Sequence, residues 1–321
     1  MRFAIMLLIL CTAISCKEKS VVEESTAEFI PYTPKIEGPA LVVLGTLQDA
    51  GSPHIACKKE CCKNLFDTPD ATRKVVSLGL VFDGKTYLFE ATPDISTQVK
   101  LLQRMASSEK ELPDGIFLTH AHIGHYTGLM YFGREATNAD KIPVYTMPRM
   151  KEYLETNGPW SQLVDLQNIT LRELSHREKV ELSSQVEVVP FLVPHRDEYS
   201  ETVGYIIEAF GNKIVFIPDI DKWEKWERSI VEIIEEVDYA FLDATFYSGE
   251  EINTRDISEI PHPFIIESIA LFDSLPASEK KKIHFIHFNH TNPVLDTSTT
   301  ASKKVIEKGY RLARYGQIIN L

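Results

Sequence analysis

The segment FLTHAHIGHYTGLM, residues 117–130, places three histidines, His120, His122 and His125, within six residues at the end of an apolar run. That spacing constrains the chain more than any other feature. In an extended segment alternate side chains point the same way, so His120 and His122 reach one ion together. His125 lies where the chain turns towards a helix and reaches a neighbouring position. Imidazole nitrogen suits zinc, and also iron, copper or nickel. A lone histidine is usually structural. Three at this spacing, straight after a strand, predict a metal site, and a metal site needs further ligands from elsewhere in the fold.

The rest of the chain offers them at comparable positions. His195 ends VVPFLVPH, Asp219 ends IVFIPD, Asp243 sits in FLDATF, and His287 ends KIHFIH. Each apolar run reads as a strand, and each polar residue lies where a strand stops. ALVVLGTLQDAGSP opens the series, and VVSLGLVFDGKTYLFEATPD reads as a hairpin turning at Asp83 and Gly84. Helical spacing appears in ISTQVKLLQRMA, YTGLMYFGREA, MKEYLETN, WEKWERSIVEIIEEV, PFIIESIALFDSL and TASKKVIEKGY. In the fourth of these, Trp223 and Trp226 form a helix face packed against the domain. Strands dominate with helices between them, which predicts a layered α/β domain over residues 38–321 with its site along one sheet edge. Metal lowers the pKa of a bound water to about 7, giving hydroxide at neutral pH. Imidazole ligands, a bridging acid and such a water together point to hydrolysis.

Composition narrows the partners. The chain has 321 residues, 44% of them hydrophobic and 25% charged, which is ordinary for a globular protein. Its net charge of −12 disfavours a nucleic-acid backbone as partner. Beyond residue 16 no stretch is long and apolar enough to span a bilayer. The start, MRFAIMLLILCTAISC, has one basic residue, an apolar run and small residues ending at Cys16. This is the pattern of a secretory signal. Its AISC end is similar to a bacterial lipobox, so the expectation is a signal over residues 1–15 and a lipid on Cys16. A plain signal peptide and an uncleaved anchor are the alternatives. Residues 16–37 are charged and contain proline, and read as a tether holding the domain off a bacterial membrane.

The ordered series His120, His122, His125, His195, Asp219, His287 resembles the metallo-beta-lactamase-fold hydrolases. Within them it is similar to the branch that contains the pyrroloquinoline-quinone biosynthesis protein B. VVLGTLQDAGSP, ATPDI at 91–95, HIGHYTGL at 122–129, IHFNHTNPVLD at 286–296 and the final GQIINL carry that resemblance. It implies a four-layer αβ/βα sandwich with metals at one edge. His120, His122 and His195 match the first metal site, Asp219 the bridging carboxylate, and His125 and His287 the second site. Asp243 is then expected behind a ligand histidine, orienting it. His262 lies where related phosphodiesterases carry a histidine near the scissile phosphate, or else caps the following helix. The family pattern is His-x-His-x-Asp-His, and Gly124 stands where its aspartate would be. The second site is therefore expected to be one ligand short. His290 and His54 are the candidate substitutes, and the expectation is one tight zinc and a second ion weak or absent, with iron or manganese as other metals.

Cys57, Cys61 and Cys62 fall in SPHIACKKECCKN. The resemblance implies a structural zinc in this region. One reading is a clip of His54, Cys57, Cys61 and Cys62. The other is a disulfide with one spare thiol, which an exported location favours. Arg196 adjoins His195 and either holds an anionic substrate group or lies in a solvated loop. Three functions fit these residues. The first is a zinc hydrolase in which metal-bound hydroxide attacks a small anionic ester or phosphodiester, with Asp219 and His262 as catalytic residues. The second is an iron-dependent oxygenase related to quinone cofactor biosynthesis. The third is a non-catalytic, lipid-anchored metal-binding protein.

Overall fold

Strand β1, Ala40–Gly45, shows how the fold is built. Leu41 and Val43 point into one hydrophobic cluster, while Val42 and Leu44 point into another. A strand alternates its side chains between faces, so a run apolar at every position must be covered on both sides. The computed structural model describes residues 34–252 and 260–321. The expected signal, Cys16 and the tether up to residue 33 lie outside the described residues. Ile36 already packs against the domain, and its amide donates to the Met105 carbonyl at 2.8 Å.

The remaining strands are β2 Ser77–Phe82, β3 Lys85–Phe89, β4 Gly115–Phe117, β5 Ile142–Thr146, β6 Ile169–Glu173, β7 Val180–Ser183, β8 Val186–Leu192, β9 Val203–Ala209, β10 Asn212–Ile217, β11 Tyr239–Asp243, β12 Ile283–Ile286, β13 Arg311–Leu312 and β14 Ile318–Asn320. They form two seven-stranded sheets, ordered β14-β1-β2-β3-β4-β5-β6 and β13-β12-β11-β10-β9-β8-β7. Each sheet is antiparallel in one part and parallel in the other. β3 to β6 run parallel, and so do β10 to β13. The inner faces meet over Phe89, Phe117, Tyr205 and Phe216, whose rings pack at 5.1–6.2 Å between centroids. The outer faces are covered by helices such as Ile95–Ala106 on one sheet and Ile230–Glu236 and Ile265–Leu271 on the other. The result is a helix–sheet–sheet–helix sandwich, the architecture expected from the sequence.

The hairpin between β2 and β3 turns at Asp83 and Gly84, with φ of 48° and 70°. Both lie in the left-handed region that a tight two-residue hairpin turn requires. The helix expected from Trp223 onward is broken. A single 3-10 turn, Trp223–Lys225, ends in extended chain at Trp226, and the helix Ile230–Glu236 starts afresh. The reason is Ser229, whose hydroxyl accepts from the Glu232 amide and fixes a new helix start. Both tryptophans are buried, with indole N–H groups donated to the Ser268 hydroxyl and the Leu192 carbonyl. The helix expected after His125 is likewise cut short: His125 lies within a single helical turn, Ile123–Tyr126, followed by a 3-10 helix, Thr127–Phe132. Among the described residues no helix is long and apolar enough to cross a membrane.

His284 on β12 is buried against Phe241, and the Gln317 side-chain amide faces its Nδ1 at 3.2 Å. Burial, helped by Arg311, pushes its pKa down to about 4 from 6.5. The fold thus prefers the neutral ring, and the unfolded chain takes the proton first as pH falls. The contribution is intact above pH 6.5 and is lost progressively towards pH 4. Between pH 7.5 and 5 the wild type should lose about 2 kcal/mol more stability than His284→Asn in urea unfolding. Identical pH slopes for the two proteins would refute this.

Candidate metal centre

Parallel strands end at a common edge, and the residues just past their C-terminal ends assemble the site. β4 runs out at Phe117, and His120 and His122 come next. The Tyr205 hydroxyl, from the inter-sheet core, donates to the Leu118 carbonyl and ties this loop down. His195 follows β8, Asp219 follows β10, Asp243 ends β11, and His287 directly follows β12. His287 has φ of 67°, a left-handed conformation that costs a non-glycine residue on the order of 1 kcal/mol.

Asp219 is the centre. Its Oδ2 lies 3.3 Å from His120 Nε2, 3.2 Å from His195 Nε2, 3.8 Å from His122 Nδ1 and 3.9 Å from His125 Nε2. Ligand atoms of His120, His122, His195 and Asp219 fall within 4.8 Å of one another, as do those of Asp49, His125 and His287. The inward nitrogens His120 Nε2, His122 Nδ1, His125 Nε2, His195 Nε2 and His287 Nε2 are buried without hydrogen-bond partners, and so is Asp219 Oδ1. A buried polar atom left unpaired costs about 1–3 kcal/mol, and several converging on one point mark a place built for cations.

The outer nitrogens fix which lone pairs face inward. The Thr119 hydroxyl donates to Glu90 Oε1 at 2.6 Å, so it accepts from His120 Nδ1 at 2.9 Å. The Thr245 hydroxyl donates to Asp243 Oδ1 at 2.7 Å and accepts from His287 Nδ1 at 2.9 Å. In both rings the proton is held outside, and Nε2 presents its lone pair to the site. His125 differs: burial disfavours its charge, but Glu90 Oε1 at 3.1 Å from Nδ1 and Asp49 Oδ1 at 3.2 Å from Nε2 outweigh it and raise its pKa well above the usual imidazole value. His122 has the opposite orientation: its Nε2 meets Glu198 at 3.2 Å, and Nδ1 faces Asp219.

Burial pushes the His120 pKa well below the usual imidazole value. Burial opposes charge on Asp219 too, but His195, His262 and His287 outweigh it and hold the carboxyl well below its usual range. His262 Nδ1 is 2.9 Å from Asp243 Oδ2 and 3.1 Å from Asp219 Oδ1. Burial disfavours its charge, yet the two carboxylates prevail and raise its pKa to about 10. Asp243 therefore does two things: it anchors His262 directly and His287 through Thr245. The residues present suit divalent ions, with four carboxylates, Asp49, Glu90, Asp219 and Asp243, set among the imidazoles.

The substitutes proposed for the second subsite are elsewhere. His290 Nδ1, buried and unpartnered, groups with Cys57, Cys61 and Cys62. His54 is not in that group; its ring stacks on His290 at 4.3 Å, and its amide donates to Cys62 Sγ at 3.3 Å. The three cysteines are free thiols, not a disulfide. The exchange of His54 for His290 has a simple cause. His54 Nδ1 is turned to the Ile55 carbonyl at 2.9 Å, whereas β12 delivers His290 to the cluster from across the fold. Arg196 is exposed beside Glu198 on the loop after His195. Sequence reasoning missed Asp49, Glu90 and Glu198. The first two are acids at the end of apolar strands or just beyond them, the same signal that marked Asp219 and Asp243.

Residues 85–285 match the beta-lactamase superfamily domain. The Coenzyme PQQ synthesis protein B of Methylococcus capsulatus is 25% identical over 305 residues, covering 85% of this chain and 97% of that protein. The protein of the same name from Pseudomonas putida is 24% identical over 306 residues, covering 87% and 99%. The crystal structure of Zn(2+)-bound PqqB from Methylobacterium extorquens superposes with a TM-score of 0.71 at 22% identity, covering 88% of this chain and all of that one. A diphosphatase from the PhnP family gives 0.61 at 23% identity, covering 88% and 96%. With its two flanked mixed sheets and its likeness to PqqB in sequence and structure, the chain belongs to the beta-lactamase superfamily and has the metallo-beta-lactamase fold.

Proposed function

We propose that the protein is a zinc-dependent hydrolase of a small anionic ester or phosphodiester. The observation that carries this reading is the set of unpartnered imidazole nitrogens converging on Asp219, with a cationic histidine behind it. His120, His122 and His195 would hold one ion, and Asp219 would bridge to a second subsite at His125 and His287. Bound there, such ions acidify water and polarise the bond to be cut. The chain's own contribution is positional and electrostatic. Thr119 and Thr245 keep ring protons outside. Asp243 and Asp219 keep His262 charged, so that its other nitrogen also carries a proton, available to a leaving oxygen. Arg196, on the same loop as His195, would meet an anionic group of the substrate. The diphosphatase of similar fold is in keeping with a phosphoryl substrate.

The relatives named for PQQ synthesis favour a second reading, in which the same histidines hold iron for an oxidation related to quinone cofactor formation. Metal bound without turnover of either kind would leave a binding protein. His122→Ala should lose about one ion per chain, measured by elemental analysis, and retention of full metal would refute the first-site assignment. His262→Gln should keep its metal and lose on the order of 10²-fold or more in kcat on bis(p-nitrophenyl) phosphate. An unchanged kcat would remove His262 from the reaction.

We propose further that Cys57, Cys61, Cys62 and His290 hold a structural zinc. Changing the three cysteines to serine should remove about one zinc per chain and lower the thermal midpoint, whereas an unchanged zinc count would rule the clip out. The reading of residues 1–16 as a lipoprotein signal rests on the sequence alone. Intact-mass measurement of the protein from a membrane fraction should show loss of residues 1–15 and a lipid on Cys16. An unmodified Cys16 would exclude that anchor.

A further inference from the structure

The space beside Gly124 is filled. A Cβ built on Gly124 would lie 2.3 Å from Asp49 Oδ1, 2.4 Å from Asp49 Cα and 3.1 Å from Asp49 Cβ. No side chain at 124 can coexist with Asp49 in this position. The Gly124 amide donates to Asp49 Oδ1 at 3.2 Å, and the same oxygen is 3.2 Å from His125 Nε2. Asp49, His125 and His287 bring ligand atoms within 4.8 Å of one another. We infer that Asp49 is the carboxylate ligand of the second metal subsite, and that Gly124 is the residue that makes room for it.

The loop carrying Asp49 is held against the segment carrying His287. The Gln48 amide donates to the Phe288 carbonyl at 2.9 Å, and Asn289 Nδ2 donates to Gln48 Oε1 at 2.7 Å. These bonds set Asp49 and His287 relative to each other before any ion arrives, which is how a ligand set is preorganised. Three carboxylates crowd this one buried imidazole: Glu90 Oε1 is 3.1 Å from His125 Nδ1, and Asp49 Oδ1 and Asp219 Oδ2 are 3.2 and 3.9 Å from Nε2. A divalent cation at Nε2 would neutralise Asp49 and Asp219 together, more fully than a single ring proton can. The second subsite then has Asp49, His125, His287 and the shared Asp219, a full set for a divalent ion rather than one a ligand short.

The inference rests on the proposed metal centre, and zinc counts separate the two. Full-length protein is loaded with zinc, passed through gel filtration and analysed for zinc per chain. Asp49→Asn should lose about one ion while keeping those lost in His122→Ala and in the cysteine variant. Gly124→Asp alone should be poorly folded, because its side chain meets Asp49. The exchange variant, Asp49→Gly with Gly124→Asp, should fold and recover the lost ion, since it returns a carboxylate to the same space. If Asp49→Asn keeps every ion, Asp49 is only a counter-charge for an imidazolium at His125, and the inference fails. A folded exchange variant that stays one ion short overturns it as well. If His122→Ala also loses nothing, the failure lies with the metal centre itself.

Discussion

A buried cluster of imidazoles and carboxylates around Asp219 governs the rest of this structure. Asp219 is buried, charged and within 4 Å of His120, His122, His125 and His195, with His262 on its other oxygen. Buried carboxylates and inward lone pairs cannot be left together without positive charge between them. The double sandwich makes the arrangement tolerable by aiming the C-terminal ends of parallel strands from both sheets at one edge. Because β4, β10, β11 and β12, which lead into the cluster, are buried along most of their length, its side chains have little freedom to relax into other hydrogen bonds.

The supporting contacts use one design twice. On one side Thr119 relays Glu90 to His120, and on the other Thr245 relays Asp243 to His287. A neutral hydroxyl that donates to an acid has only acceptor capacity left for the ring, so it fixes the tautomer without charging it. Histidines touched directly by two carboxylates behave differently: His262 is held as a cation by Asp219 and Asp243, and Glu90 and Asp49 favour charge on His125 in the same way.

The cluster around Asp219 and the cysteine group share their connecting chain. His287 belongs to the Asp219 centre and His290, three residues later, to the cysteines. Asp49 and Cys57 are joined by one loop in the same way. An ion on the cysteines would therefore brace both segments that reach into the second subsite. Such an ion would give the loop-rich stretch between β1 and β2 a mechanical part in the site.

Fold class and the histidine series were legible in the linear chain. Short apolar runs that stop at polar residues specify strands, and the histidines and acids at those stops recur in an order that a single chain displays. The cluster of His120, His122 and His125 was legible too, because those residues are neighbours in sequence and in space. Contacts between distant segments were settled only when the chain had folded. Gly124 reads as a missing ligand until Asp49, 75 residues upstream, is found in its place. His290 reads as a spare imidazole until β12 carries it to the cysteines, and the turn at Ser229 divides a pattern that looks like one helix. Side-chain periodicity reports which face of an element is buried, but not which distant loop comes to lie against it.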